Sequence, residues 1–90
     1  MTKEVKLFKV LANPRRLRIM EILLGRERLS VSTISHQIDL SFKSTSRHLS
    51  LLETAGLIER KQEGLFAFYS IRKDLKTPFR KLLQETSVFV

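Results

Sequence analysis

The sequence predicts a mainly α-helical (α+β) fold, with about five helices and a two-stranded β-hairpin before the last of them. Apolar residues recur three or four positions apart through most of the chain, for example at Leu17, Met20 and Leu24, which is the spacing of one helix face. Residues that cap helices divide these stretches. The clearest strand-like composition is found in residues 57–61 and 65–71. The pattern therefore favours helices with one small β element.

Two helices are predicted in the first quarter of the chain. The first covers residues 3–12 and has a broad apolar side. Asn13 followed by Pro14 indicates a new helix start, because asparagine caps helix N-termini and proline is tolerated at the first helical position. The second helix then runs as far as Gly25, a residue type that commonly ends helices.

The third and fourth helices are predicted to lie close together in the chain. Ser32 is the expected N-cap of a short third helix over residues 33–38. After a three-residue turn, Ser41 caps a fourth helix over residues 42–55, and Gly56 follows where a left-handed residue ends a helix. Two helices joined by so short a turn form a helix-turn-helix.

The strand-like segments add a wing to this motif. A hairpin with its tip at residues 62–64 follows the fourth helix directly, and residues 29–31 alternate like a further short strand. Thr77 and Pro78 repeat the pattern of a cap followed by proline, which predicts a last helix over residues 78–90. Residues 1–90 are thus expected to form a single winged helix-turn-helix domain.

Charge points to the kind of partner. Seventeen Lys and Arg against nine Asp and Glu give a net charge of +8 and a pI of about 10.5, and a pI above about 9 is typical of a nucleic-acid-binding domain. A basic protein without such a role, or one that binds acidic membranes, is the alternative. The chain has no cysteine, no signal-peptide pattern and no run of about 18 apolar residues, so we expect a soluble, cytoplasmic protein.

The fourth helix has the pattern of a recognition helix. Thr45, His48, Leu49 and Leu52 share the side that we expect to face inward. The residues expected on the outer face, where a major-groove reader places its side chains, are Phe42, Lys43, Ser46 and Arg47. Arginine donates two hydrogen bonds to a guanine edge, lysine makes a single-point contact, and a phenylalanine ring packs on a thymine methyl.

Further contacts to the DNA backbone are predicted around this helix. Ser41, Ser44 and Ser50 are short enough to let phosphates approach the positive N-terminal end. In the hairpin, Arg60 and Lys61 are candidates for contact with a phosphate backbone or a minor groove. A solvated hairpin is the alternative there. An arginine cluster at residues 15–18 is a weaker candidate, because such clusters often form a solvated helix face.

Catalytic and metal-binding patterns are absent from the sequence. The two histidines, His36 and His48, have no cysteine or carboxylate at metal-ligand spacing. There is no G-x-S-x-G motif and no glycine-rich phosphate loop. We therefore expect no enzymatic activity, no cofactor and no metal.

Four segments together resemble the ArsR/SmtB-type winged-helix repressors. They are residues 11–19 (LANPRRLRI), 40–49 (LSFKSTSRHL), 52–58 (LETAGLI) and 64–69 (GLFAFY), in the family's order and spacing. The resemblance implies a homodimeric repressor of transcription that binds double-stranded DNA at an inverted repeat. It implies that the terminal helices, at about 3–12 and 78–90, form the dimer interface, and that the outer face of the fourth helix reads the bases.

The chain also departs from the family's pattern. Metal-sensing members carry cysteines where this chain has Ser30 and Ser32, or ligands on the last helix, which here contains no histidine. The resemblance therefore implies a metal-independent member, and it identifies no inducer. Two other hypotheses stay open: a winged-helix module that binds an acidic protein, and a sensor of a metal or small ligand with a non-standard site.

Overall fold

The computed structural model describes residues 2–87, with side chains as far as residue 85. Within this part of the chain there are five helices and three strands. In chain order they are α1 (Lys3–Leu11), α2 (Pro14–Leu24), β1 (Leu29–Ser30), α3 (Val31–Gln37), α4 (Phe42–Thr54), β2 (Ile58–Glu63), β3 (Phe66–Ile71) and α5 (Lys73–Ser87). The helix-turn-helix formed by α3 and α4 is followed by the β2–β3 hairpin, so the predicted fold class is confirmed.

The predicted N-caps of α2 and α4 are confirmed by hydrogen bonds. The Asn13 side-chain oxygen accepts from the backbone N–H groups of Arg15 and Arg16, at 3.0 and 3.1 Å. The Ser41 hydroxyl oxygen accepts from the N–H of Ser44 at 3.1 Å. Each cap satisfies N–H groups that have no partner within the helix. The start of α4, and with it the register of the side chains on that helix, is therefore fixed locally.

The C-terminal end of α4 is fixed by a left-handed glycine. Gly56 has φ +80°, and the N–H groups of Gly56 and Leu57 donate to the carbonyls of Glu53 and Leu52, at 2.9 and 3.0 Å. This pair of bonds is the Schellman motif. The α3–α4 turn uses the same device with Asp39 (φ +53°) in the left-handed position, which aspartate tolerates better than most residues.

The third helix begins two residues earlier than the sequence predicts. Ser30, not Ser32, is its N-cap, and the Ser30 hydroxyl oxygen accepts from the N–H of Thr33 at 3.2 Å. The short strand is confined to Leu29 and Ser30, because these residues pair with Tyr69 and Phe68 of β3. Val31 is consequently the first residue of α3, and the sheet has three strands in the order β1-β3-β2.

The hairpin is tighter than predicted. Glu63 pairs with Phe66, so the tip contains only Gly64 and Leu65, and residues 62 and 63 belong to β2. Gly64 has φ +60°, and glycine at the first position of a two-residue loop is typical of a type II′ turn. This register decides which side of the wing each of its side chains faces.

The last helix begins at Lys73, so the prediction of a start at Pro78 is wrong. Pro78 lies inside α5, where its missing N–H costs one hydrogen bond, to the carbonyl of residue 74. Asp74 in the first turn suits the positive end of the helix and accepts hydrogen bonds from Arg72. Residues 88–90, which we predicted to continue the helix, lie outside the described residues.

The core lies between α2, α3, α4 and the sheet. Its fully or almost fully buried side chains are Ile19, Met20, Leu23, Ile34, Leu49, Leu52, Ile58 and Ile71. Phe79 of α5 is also buried. Because Thr45, Leu49 and Leu52 are each 0% exposed, one side of α4 is fixed against the core and the other side must face solvent.

Candidate nucleic-acid interface

The structure places the four predicted base-reading residues on the solvent side of α4. Phe42 is 59% exposed, Lys43 and Arg47 are exposed, and Ser46 is half-buried. We call these four residues the outer face. No acidic residue lies in the first turn of α4, although the positive end of a helix favours acids there. The outer face therefore presents cations where an external anion would stabilise them.

The predicted phosphate-contacting serines differ in their environment. Ser41 and Ser50 are exposed, and Ser44 is half-buried. The Ser41 oxygen accepts from the Ser44 N–H, so it caps the helix. The N-terminal N–H groups that remain unpaired, next to exposed Ser41 and Lys43, form the kind of site that binds a phosphate.

The two predicted basic residues of the wing are on opposite faces of the hairpin. Arg60 pairs with Tyr69, whose ring is buried against the core, whereas Lys61 pairs with Phe68 on the other face. A groove of about 320 Å³ contains Arg60 and Phe42 among its lining residues. The structure thus brings Arg60 close to the start of α4, and it does not bring Lys61 there.

The tip of the wing is apolar, and its residues were not among the predicted contacts. Leu65 is 94% exposed and Phe66 is 60% exposed, and both line the groove that Arg60 shares with Phe42. The signal was available, since Leu65 replaces a residue that is commonly basic in the resembling family. Exposed apolar side chains at a wing tip fit contact with sugar edges or a minor groove better than contact with phosphate.

A second unpredicted feature attaches the wing to the domain. Arg28, in the loop before β1, donates a 2.5 Å hydrogen bond to the Glu63 carboxylate, and its guanidinium lies 4.3 Å from the centre of the Phe68 ring. This bond from Arg28 lowers the pKa of Glu63 and raises that of Arg28. Lys61 is 3.9 Å from the same carboxylate. The negative charge of Glu63 is therefore paired with Arg28, and it does not act only to reduce the positive charge of the wing.

The arginines at the start of α2 are not equivalent. Arg16 is half-buried, and it donates to the carbonyl of Val10 at 2.6 Å and lies 3.3 Å from His48 Nδ1. It therefore joins α1, α2 and α4, while Arg15 and Arg18 are exposed. Burial, followed by the positive charge of Arg16, lowers the pKa of His48. His48 is thus a partly buried structural residue, in agreement with its predicted inward position.

The described part of the chain contains neither a metal-ligating cluster nor a membrane-spanning helix. Within residues 2–87, no three His, Asp or Glu side chains lie close enough together to hold a metal ion. Ser30, where metal-sensing members of the resembling family carry a cysteine, uses its hydroxyl to cap α3. None of the described helices has the length and apolar character needed to cross a membrane.

Known proteins share both the sequence pattern and the geometry of this domain. The model of the family "Bacterial regulatory protein, arsR family" matches residues 13–60. The transcriptional activator HlyU of Vibrio cholerae is 41% identical over 69 residues, which are 77% of this chain and 63% of HlyU. The arsenical resistance operon repressor of Escherichia coli is 31% identical over 81 residues, which are 90% of this chain and 69% of the repressor.

Solved structures agree with these matches. The structure of Vibrio cholerae HlyU covers 91% of this chain and 89% of its own, with a TM-score of 0.81 and 35% identity. A homodimeric winged helix-turn-helix DNA-binding domain from Mycobacterium bovis covers 94% of this chain and 78% of its own, with a TM-score of 0.84 and 27% identity. The chain spans about three fifths of the length of the first curated relatives that it matches.

Proposed function

Because the chain belongs to the arsR family of bacterial regulatory proteins, we propose that it is a sequence-specific regulator of transcription. It acts as a homodimer that binds an inverted-repeat operator in double-stranded DNA and represses the adjacent promoter. The observation that supports this most strongly is the outer face of α4, whose exposed Lys43 and Arg47 lie opposite three completely buried side chains. Regulation through DNA also agrees with the absence of catalytic motifs from the sequence.

In this proposal, the outer face enters the major groove. Arg47 donates to the O6 and N7 atoms of a guanine, Lys43 makes a single-point contact, and the Phe42 ring packs on a thymine methyl. Ser46 contacts a base edge or a phosphate, and phosphates bind around Ser41, Ser44 and Ser50. The exposure and position of these side chains on α4 support the proposed roles.

The wing has two parts in this proposal. Arg60 faces the groove next to Phe42 and contacts the DNA backbone beside the recognition helix. Lys61, on the opposite face of the hairpin, contributes to the positive field and not to the same contact. The apolar tip, Leu65 and Phe66, approaches a minor groove.

Dimerisation is assigned to the terminal helices. Val5 and Phe8 of α1 are 44% and 62% exposed, and Leu82 of α5 is 43% exposed. Exposed apolar side chains on both terminal helices are typical of an oligomer interface. A dimer places two copies of α4 in successive major grooves, as two-fold symmetric helix-turn-helix proteins do. We place the protein in the cytoplasm, because a regulator of transcription in this family must reach the DNA there.

Selection from a random DNA library tests this proposal. The full chain should enrich sequences with an inverted repeat, and its affinity for them should fall steeply with salt. Neutralising about 6–10 phosphates predicts a loss of roughly 10³–10⁵ in affinity between about 50 and 200 mM salt. Enrichment of single half-sites would contradict the dimer. Failure to enrich any sequence would favour the rival class, a winged-helix module that binds an acidic protein.

A further inference from the structure

A cavity lies at the end of α4 that is remote from the outer face. It is bounded by the C-terminal end of α4, by α1 and by the start of α5, and its volume is about 630 Å³, within the range of small-molecule sites. Its interior is mostly apolar. The apolar side chains that line it are Leu7, Val10, Leu51, Ala55, Leu57 and Leu75.

All the charged side chains that line this cavity are basic. Lys3, Lys6 and Lys9 of α1 and Arg72 line it, and no acidic side chain of the described residues does. Arg72 is already bonded to Asp74 and to the carbonyl of Gly56. The three lysines form no ion pair with any residue between 2 and 87. An apolar cavity is therefore bordered by three cations that lack a counter-charge.

We propose that this cavity binds an amphipathic anion, a free fatty acid with an unbranched chain. The chain lies among the leucines, where burial of apolar surface stabilises the complex, and the carboxylate lies at the lysines of α1. Apolar walls with a few charged groups at one side are the usual composition of a site for such a ligand.

A second copy of the chain fits this cavity less well than a fatty acid does. α1 carries three lysines and one glutamate, and α5 carries four basic and two acidic residues, so either terminal helix would bring like charge to the lysines. In addition, the exposed pair Val5 and Phe8 lies on roughly the opposite side of α1 from the cavity-lining pair Leu7 and Val10, because successive residues turn by about 100° on a helix. The apolar side assigned to the dimer is thus separate from the cavity.

The cavity lies next to elements that bind DNA in the proposed function. The regulatory part of this inference therefore rests on that proposed function. Leu51 and Thr54 belong to the recognition helix, and Leu57 directly precedes the wing. A ligand that separates α1 from this end of α4 disfavours the arrangement that binds DNA. Because coupling between two sites is reciprocal and typically about 5–150-fold, the fatty acid should weaken operator binding by a factor in that range.

Calorimetry on the full chain tests the site directly. Dodecanoate, kept below its micelle-forming concentration, should bind once per chain, whereas dodecanol and dodecylamine should bind far more weakly. Lys6→Glu should weaken dodecanoate binding about tenfold, because a repelling charge replaces an attracting one. Arg26→Glu makes the same charge change in the connector after α2, away from the cavity, and should bind dodecanoate as the parent does.

A second variant tests the cavity by filling it. Thr54 is an exposed helix residue that lines the cavity, so Thr54→Trp should abolish dodecanoate binding without lowering the melting temperature. Retention of parent-like dodecanoate binding by both Lys6→Glu and Thr54→Trp, or no binding to the parent, would overturn the site. Binding that leaves operator affinity unchanged would overturn its regulatory role. Calorimetry needs no DNA, so a failure of the DNA-binding proposal would be seen separately.

Discussion

The recognition helix and the wing carry the predicted contact residues, but different forces hold them in place. Thr45, Leu49 and Leu52 are each 0% exposed, so the core fixes the rotation of α4 about its axis. The outer half of the wing has exposed side chains and is attached to the domain through the surface contact between Arg28 and Glu63. We infer that the helix is a rigid reader, whereas the wing is an adjustable second contact.

Truncating the core side of α4 should have the largest effect. Leu49→Ala removes a completely buried side chain, and such changes lower the free energy of unfolding by about 2–5 kcal/mol. Leu51→Ala on the same helix, where the side chain is 43% exposed, should cost about 1 kcal/mol or less. Urea unfolding measures both. Equal losses would show that the core does not fix the helix in the way described.

A smaller effect of the opposite sign is expected at Thr45. Its hydroxyl is buried and has no hydrogen-bond partner within residues 2–87, and an unpaired buried hydroxyl destabilises the folded state. Thr45→Val should raise the free energy of unfolding by about 1 kcal/mol. Thr54→Val, an exposed position on the same helix, should change it by less than about 0.5 kcal/mol. If Thr45→Val destabilises the protein, the hydroxyl has a partner after all.

Substitutions of the two basic residues of the wing should differ in their effect on DNA binding. Arg60→Ala should lower the slope of log affinity against log salt by about one unit, because it removes a phosphate contact. Lys61→Ala should change this slope less, because Lys61 is on the other face of the hairpin. Salt titrations of operator binding measure both slopes. A larger change for Lys61→Ala would reverse the orientation assigned to the wing.

Removing the ion pair between Arg28 and Glu63 should have the smallest effect on the free energy of unfolding, and that effect should depend on pH. The bond from Arg28 lowers the pKa of Glu63 below its usual value in the folded state. Its stabilisation is therefore complete above the pKa of the unfolded chain and is lost as the pH falls through the folded pKa. Glu63→Gln should be less stable than the parent at neutral pH, and this difference should shrink as the pH falls below the usual pKa of a glutamate. A constant difference would exclude the ion pair as its cause.

The contrast also explains which parts were predictable from the sequence. Ser41 and Gly56 are local signals that set both ends of α4, and helical periodicity then assigned the buried and outer faces of that helix correctly. The cross-strand register determines that Arg60 shares a face with Tyr69 and Lys61 with Phe68. A two-residue turn decides this register, and composition alone did not reveal it. The partner of Glu63 lies 35 residues away, and no local pattern indicates so distant a contact.

The last helix shows how a strong local signal can mislead. Thr77 and Pro78 have the pattern of a helix start, but the helix already begins at Lys73 and buries Phe79. Packing of Phe79 against the core and the Asp74 carboxylate at the first turn favour the earlier start. The loss of one hydrogen bond at Pro78 does not outweigh them.

The most direct test of the account is the binding of Arg47→Ala to the selected operator and to random DNA at one salt concentration, with Arg26→Ala as the matched control. If the outer face of α4 reads the bases, Arg47→Ala should cost about 1–3 kcal/mol on the operator and relax specificity at one base pair of each half-site. Arg26→Ala should bind both DNAs as the parent does. An Arg47→Ala variant that binds operator and random DNA like the parent would contradict the central claim.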